Sequence, residues 1–209
     1  MKRLLLPLFP LQVVLLPGTP LPLHVFEERY KEMIADVMGA SSEFGVVLSG
    51  DKGICNMGCT AAIEKVLEKY PDGRMDLLTV GRRRFEILEL DNEKPYLRGE
   101  VSFFDDDDFE ATPEETRRRV LDSYNVIQHM GEQDGAAEPD PDHPQVSFQF
   151  ARSISDLNFR QLLLSTRSES SRMKQLAEFL PPFAARQLQI QHAKLVAPKN
   201  GHAKWPQAL

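Results

Sequence analysis

The stretch LLLPLFPLQVVLLPG, residues 4–18, is almost wholly apolar, and prolines interrupt it at positions 7, 10 and 17. Each proline removes a backbone donor and obstructs a helix. That argues against a membrane-spanning helix, which needs ~20 unbroken apolar residues. It also argues against a secretory leader, which needs an uninterrupted apolar core and a small-x-small cleavage site. Lys2 and Arg3 imitate the start of such a leader, but Pro17-Gly18-Thr19-Pro20 follows Leu16 where Ala-x-Ala would be required. Prolines are tolerated on sheet edges and at strand starts. The segment is therefore expected to be an extended edge strand of the folded protein, ended by a Pro-Gly turn.

Beyond the turn the period changes. Phe26, Tyr30, Met33, Ile34 and Val37 recur at helical spacing, and Gly39 lies where a helix stop is expected. The run EFGVVLSG is short, apolar and bounded by turn residues, so a buried strand is expected there. CTAAIEKVLEKY is ambiguous. Ile63, Val66, Leu67 and Tyr70 suit a helix, yet Pro71-Asp72-Gly73 and the alternating RMDLLTV after it suit a hairpin. Around Gly81 the apolar positions are Leu78 and Val80 on one side, Phe85 and Ile87 on the other. The core-facing parity is thus expected to switch from even to odd, which needs a bulge or a turn. A sheet cornering in this way curls into a small barrel.

From residue 113 the chain turns helical. Pro113, Glu114 and Glu115 suit a helix N-terminus, and Val120, Leu121, Tyr124 and Ile127 form one stripe. Residues 131–144 read as an acidic Pro/Gly loop. Val146, Phe150, Ile154 and Leu157 are expected to start another amphipathic helix, Pro181-Pro182 to kink or break the last one, and residues 197–209 to fray.

Net charge is −6, split −2 and −4 between residues 1–100 and 101–209, so neither half carries the basic footprint that phosphate backbones require. Nucleic acid is an unfavoured partner and no membrane association is expected. Cys55 and Cys59 are too few for a disulfide scaffold or a four-ligand zinc site, and free thiols in a reducing cytoplasm are expected. GICNMGCT has the spacing of a phosphate-binding loop, but Cys59 stands where the essential lysine belongs. DDDD (105–108) lacks the alternating ligands and turn glycine of a cation loop and reads as a solvated acidic link. Alternation would place Arg82 and Arg84 on one strand face and Arg83 on the other. Arg117, Arg118 and Arg119 point around a helix. Histidines 24, 129, 143, 192 and 202 are scattered, and there is no H-E-x-x-H and no G-x-S-x-G. Ser165 and Ser168 lie among helix ends, where capping is the ordinary role. No catalytic residue, cofactor or metal site is expected.

Several segments carry a family resemblance in their order and spacing: LPLFPLQVVLLPG, PLHVFEERYKEMI, FGVVL, GCTAAIEKVLEKYPDGRMDLLTVGRRRFEILEL, YLRGEVSFFDDD and LNFRQLLLSTRSESSRMKQLAEFL, the last with Gln161-Leu162-Leu163 and Arg172-Met173. Together, over roughly residues 4–195, they resemble the N-terminal, substrate-binding domain of Lon-type ATP-dependent proteases. The resemblance implies an α+β fold. A PUA-like β-barrel subdomain would occupy residues 1–110, a C-terminal α-helical bundle 111–196 and a flexible tail 197–209. It resolves the ambiguous hairpin as strands. It implies a non-catalytic module, without the ATPase and protease domains, that binds peptide or unfolded protein segments, or a protein partner, at the groove between barrel and helices. Expected contacts are Phe26 and Tyr30 with Arg82 and Arg84; core packing is the competing role for the two aromatics. A PUA-like RNA-binding module is the alternative that the resemblance leaves open.

Overall fold

The computed structural model describes residues 5–51, 53–108, 110–130 and 138–196. Strands occupy the first half: β1 (Leu6–Leu11), β2 (Pro20–Val25), β3 (Phe44–Gly50), β4 (Gly53–Lys69), β5 (Met75–Asp91) and β6 (Arg98–Phe104), with α1 (Glu28–Gly39) between β2 and β3. Helices follow: α2 (Glu114–Met130), α3 (Val146–Phe150) running into a 3-10 turn (Ala151–Ser153), α4 (Leu157–Ser165) and α5 (Glu169–Val196). The fold is α+β, a mixed sheet that nearly closes on itself followed by helices in which α2 packs on α5.

The strand order is β2-β5-β4-β3-β1-β6, and β5 also pairs with β6. β1 is therefore not the edge strand expected of it. It runs parallel to β3 and antiparallel to β6, inside the ring. The β6 register covers only Leu6 and Pro7, so Pro10 lies beyond the ladder it would disturb. β1 also stops short of the Pro-Gly turn, and residues 12–16 run irregularly while burying Val14, Leu15 and Leu16. The turn itself forms. Thr19 N–H donates to Leu16 O (3.1 Å) and Gly18 has φ +68°, the glycine position of a type II turn after proline. The true edge is β2, a strand the periodicity did not announce, which pairs with β5 alone.

Side chains from different strands meet inside the ring. Leu8 of β1, Val47 of β3 and Phe85 of β5 are buried together there. Gly45 and Gly58 make room for the Phe85 ring: a Cβ on either would stand 2.6 Å from its Cζ. The outer face carries the larger core, in which Phe9, Val46, Cys59, Ala61 and Leu77 pack with α1 and the helical half.

Parity along β5 is the reverse of the sequence expectation. Met75, Leu77 and Thr79 are buried before Gly81, whereas Leu78 and Val80 are half-buried on the opposite face. A switch does occur. Ala61 opposes Gly81 and Cys59 opposes Arg84, so three steps of β5 match two of β4, a bulge at Arg82–Arg83. The Arg83 N–H, displaced from the ladder, donates to Thr60 Oγ1 (3.0 Å). Beyond the bulge Arg84 takes the main-core face and Phe85 enters the ring. Gly81 does not have a positive φ. It is needed for close approach, since a Cβ there would lie 2.2 Å from Leu16 O.

α1 buries Tyr30, Met33, Ile34 and Val37 as spaced, with Phe26 just outside it; Ser41 (φ +48°), rather than Gly39, takes the left-handed position after it. In α2 Val120 and Tyr124 are buried but Leu121 is exposed, a narrower stripe than expected. The single helix expected from Val146 is two. The chain extends at Ile154, and Asp156 caps α4 by accepting the Phe159 N–H (2.9 Å). Pro181-Pro182 do not break α5, because the two absent donors fall within one turn of a 28-residue helix. Of the acidic loop expected over 131–144, residues 131–137 lie outside the described residues, as does the tail expected over 197–209.

Two glycines make a paired test. Gly81→Ala should destabilise by about 1–3 kcal/mol, because backbone stands in the way. Gly39→Ala, with open space around it, should be neutral or stabilise by up to about 1 kcal/mol. Urea melts of both variants check the contrast.

Candidate binding surface

The bulge that turns Arg84 inward places it in a buried ion cluster. Arg84 is 2% exposed and Arg172, on α5, is 0% exposed. Asp106, just past β6, joins them. Its Oδ1 accepts from Arg84 Nη2 (2.7 Å) and Arg172 Nη1 (2.6 Å), and its Oδ2 from Arg172 Nη2 (2.6 Å). Arg172 also donates to Glu169 Oε2 (2.7 Å), Ser147 Oγ (2.9 Å) and Thr166 O (2.7 Å), while Arg84 donates to Thr166 O (2.8 Å). The Phe148 ring lies 4.4 Å from the Arg172 guanidinium and 5.5 Å from that of Arg84. Two cations meet two carboxylates, and the cluster ties the end of the sheet to α3, α4 and α5.

Burial pushes the Asp106 pKa up, but the hydrogen bonds and charges of Arg172 and Arg84 outweigh it and hold the carboxyl below its usual range. Burial likewise lowers Arg172, yet Asp106 and Glu169 together leave it raised; Arg84 shares one carboxylate and stays lowered, burial being the larger effect. DDDD is thus not uniformly solvated: Asp106 is a structural counter-ion.

The expected contact residues do not share one surface. Phe26 is 59% exposed. Tyr30 is in the core, its ring 4.1 Å from that of Phe9. Arg82 is exposed and paired with Glu64 (2.9 Å), while Arg84 is sealed in the ion cluster. The bulge, not simple alternation, separates these two arginines. Phe26 and Arg82 also lie past opposite ends of the β2–β5 ladder, which runs from Pro20↔Val80 to Val25↔Met75.

Beside Phe26 the sheet assembles groups that sequence reasoning missed. His24 opposes Asp76 across β2–β5, and Glu68 opposes Asp76 across β4–β5, so the three form one rung. His24 Nδ1 lies 2.5 Å from Asp76 Oδ1. The Tyr70 hydroxyl contacts Asp76 Oδ2 (2.8 Å) and Glu68 Oε2 (3.1 Å). The Asp76 and Glu68 carboxylates push this phenol up to about 12, and hydrogen bonds from His24 and Tyr70 hold Asp76 low. The Phe26 ring stacks on His24 at 5.9 Å, and Tyr70 meets His24 edge-on at 6.1 Å. A shallow cavity of about 380 Å³ opens here, lined by Pro22, His24, Leu67, Glu68 and Asp76 among others. Only the strand register brings these residues together; the turn at Pro71–Gly73 was the one available signal.

The sheet edges beside this cavity resist strand addition. Proline cannot donate, so β2 must bond to β5 through Leu21, Leu23 and Val25, leaving Pro20 and Pro22 on the free edge. Past Ala61, β4 leaves β3, and its edge carries Glu64, Lys65, Glu68 and Lys69 with two register shifts.

The remaining sequence candidates are structural. GICNMGCT begins β4, with no helix after it to hold phosphate. Burial pushes the Cys59 thiol up to about 12, far from a nucleophilic thiolate, and both cysteines are free. Ser168 Oγ accepts the Ser171 N–H (3.1 Å) at the start of α5, as a cap does, whereas Ser165 Oγ donates to Leu162 O instead. Among the described residues no helix is long and apolar enough to cross a membrane.

A curled sheet locked onto a helical bundle by a buried ion cluster defines the class, an α+β barrel-and-bundle domain. The chain belongs to the family of the ATP-dependent protease La (LON) substrate-binding domain, which matches residues 5–181. It is 31% identical over 134 residues to a Lon protease of Parabacteroides distasonis, covering 60% of this chain and 16% of that one. It is 28% identical over 193 residues to a Lon protease of Anaeromyxobacter dehalogenans, covering 84% and 23%. The chain thus spans less than a quarter of the length of these curated relatives. Among solved structures, the Lon N-terminal domain protein from Xanthomonas campestris superposes with a TM-score of 0.67 at 30% identity, covering 85% of this chain and 99% of that one. The N-terminal domain of a Mycobacterium avium complex Lon protease shares the fold, with a TM-score of 0.61 at 18% identity and 83% and 96% coverage.

Removing Asp106 takes from buried Arg84 its carboxylate partner and leaves buried Arg172 with Glu169. Asp106→Ala should cost about 3–5 kcal/mol, seen as a lower urea midpoint. Because the folded pKa is depressed, the Asp106 contribution is complete above the unfolded value of about 3.9 and is lost as pH falls through the folded one. Wild-type stability should therefore decline more steeply than that of Asp106→Ala on acidification below about pH 4.

Proposed function

We propose that this chain is a non-catalytic binding module that holds exposed peptide segments of protein substrates. The observation that carries the reading is the family match over residues 5–181, which is to a substrate-binding domain. Among the described residues no nucleophile is paired with a base, and the buried Cys59 thiol is shifted away from reactivity. Peptide hydrolysis and ATP hydrolysis are accordingly assigned to neither the barrel nor the bundle. Free Cys55 and Cys59 suit a reducing cytoplasm.

The physical mode is burial of apolar side chains rather than strand addition, because prolines, charges and register shifts guard the sheet edges. Phe26 and Leu67, 59% and 53% exposed, are the apolar side chains beside the rung that a segment would cover. Arg82 lies apart from them, and Tyr30 and Arg84 support the fold from within.

The test is fluorescence anisotropy of labelled, reduced and carbamidomethylated ribonuclease A titrated with the full chain. The unfolded protein should bind and native ribonuclease A should not. Phe26→Ala should weaken binding about threefold or more, in line with the loss of one exposed aromatic contact. Equal affinity for native and unfolded forms, or none for either, would sink the reading.

A further inference from the structure

We propose that the rung His24–Asp76–Glu68, with the rings of Phe26 and Tyr70 beside it, receives a lysine or arginine side chain of a bound peptide. The inference deepens the binding reading above and rests on it. It adds a preference for positive charge to the apolar contacts of Phe26 and Leu67.

Charge complementarity is the main argument. Glu68 and Asp76 converge on one phenol hydroxyl. Among the described residues, no ion pair joins either carboxylate to a lysine or arginine. Arg74 has its Nε on Asp72 Oδ2 (2.7 Å), though its charge also helps to hold Asp76 low, and Lys31 is held by Glu28 and the Asp72 carbonyl. Asp76 is met by His24, whereas Glu68 is met, among the described residues, by the Tyr70 hydroxyl.

The surrounding rings suit the same occupant. His24 stacks on Phe26 and meets Tyr70 edge-on, so three rings cluster beside the carboxylates that His24 and Tyr70 contact. Arg74 already lies 4.9 Å over the Tyr70 ring, so one face of the cluster holds a guanidinium within the chain itself. A long cationic side chain has an apolar stem and a charged head. Its stem would lie along Phe26 and Leu67, with its head at Glu68. The carboxylates that attract such a head repel a phosphate backbone, so the same geometry disfavours RNA at this face.

Three fluorescein-labelled peptides, GSGLXLGSG with X as lysine, norleucine or glutamate, separate charge from stem. Titrated with the full chain at low salt, the lysine peptide should bind about five- to tenfold more tightly than the norleucine peptide, and the glutamate peptide weakest. Glu68→Gln should bring the lysine peptide down to norleucine affinity and leave the norleucine peptide unchanged. Tyr70→Phe, which keeps the ring and both carboxylates, should retain the lysine preference. Equal binding of the lysine and norleucine peptides, a preference that survives Glu68→Gln, or no binding of any peptide would overturn the proposal. If unfolded ribonuclease A still binds in those cases, the cation site falls and the module reading stands; if it does not, both fall.

Discussion

Asp106 holds the two halves of the molecule in register. Its two oxygens accept three hydrogen bonds from Arg84 on β5 and Arg172 on α5. Such a cluster is weak evidence for net stability, because desolvating the ions offsets much of their attraction. Its geometric demand is severe. Arg84 reaches Asp106 only because the bulge at residues 82–83 re-aims it, and the bulge is accommodated by the Thr60 hydroxyl. Arg172 is aligned by Glu169, which lies one helical turn away and also binds Ser147 of α3. A helical half docked in another register would leave buried charge unpaired, so the cluster selects one docking.

That docking, with ring closure, decides which surfaces remain for a partner. The interior of the ring is filled by Leu8, Val47 and Phe85, with glycines on β3 and β4 placed under the ring of Phe85. The outer face is covered by helices over much of its area. What projects is the three-stranded part formed by β2, β5 and the end of β4. Its edges are blunted, so recognition falls to side chains, and the most exposed aromatic of the described residues, Phe26, sits at the corner of that projection.

Much of the fold was legible. The β4–β5 hairpin follows from Pro71-Asp72-Gly73, where Gly73 has φ +84°, although the family resemblance was needed to overrule a helical period in β4. Helix α1 and strand β3 follow from apolar spacing. The parity of β5 was misread for a physical reason. The buried positions include Thr79, whose hydroxyl bonds Leu21 O (2.8 Å), and Gly81, packed against a carbonyl; neither is apolar in sequence, while Leu78 and Val80 are. The break before α4 was missed because the capping preference of Asp156 competes with an apolar period that runs straight through it.

Of the candidate surface, Phe26 was named from the sequence as a contact, though as the first residue of a helical stripe rather than one just before α1, and its neighbours were not legible. His24, Glu68 and Asp76 come from three strands, and Asp106 lies 22 and 66 residues from the arginines it joins. By itself the sequence determined most of the local elements, the acidic charge balance of both halves and the family resemblance, because propensity, charge and motif order act over short range or in sum. Tertiary structure alone decided which strand is the edge, which arginine is buried and which carboxylates meet. Those outcomes depend on register and ring closure, which local chain chemistry leaves open.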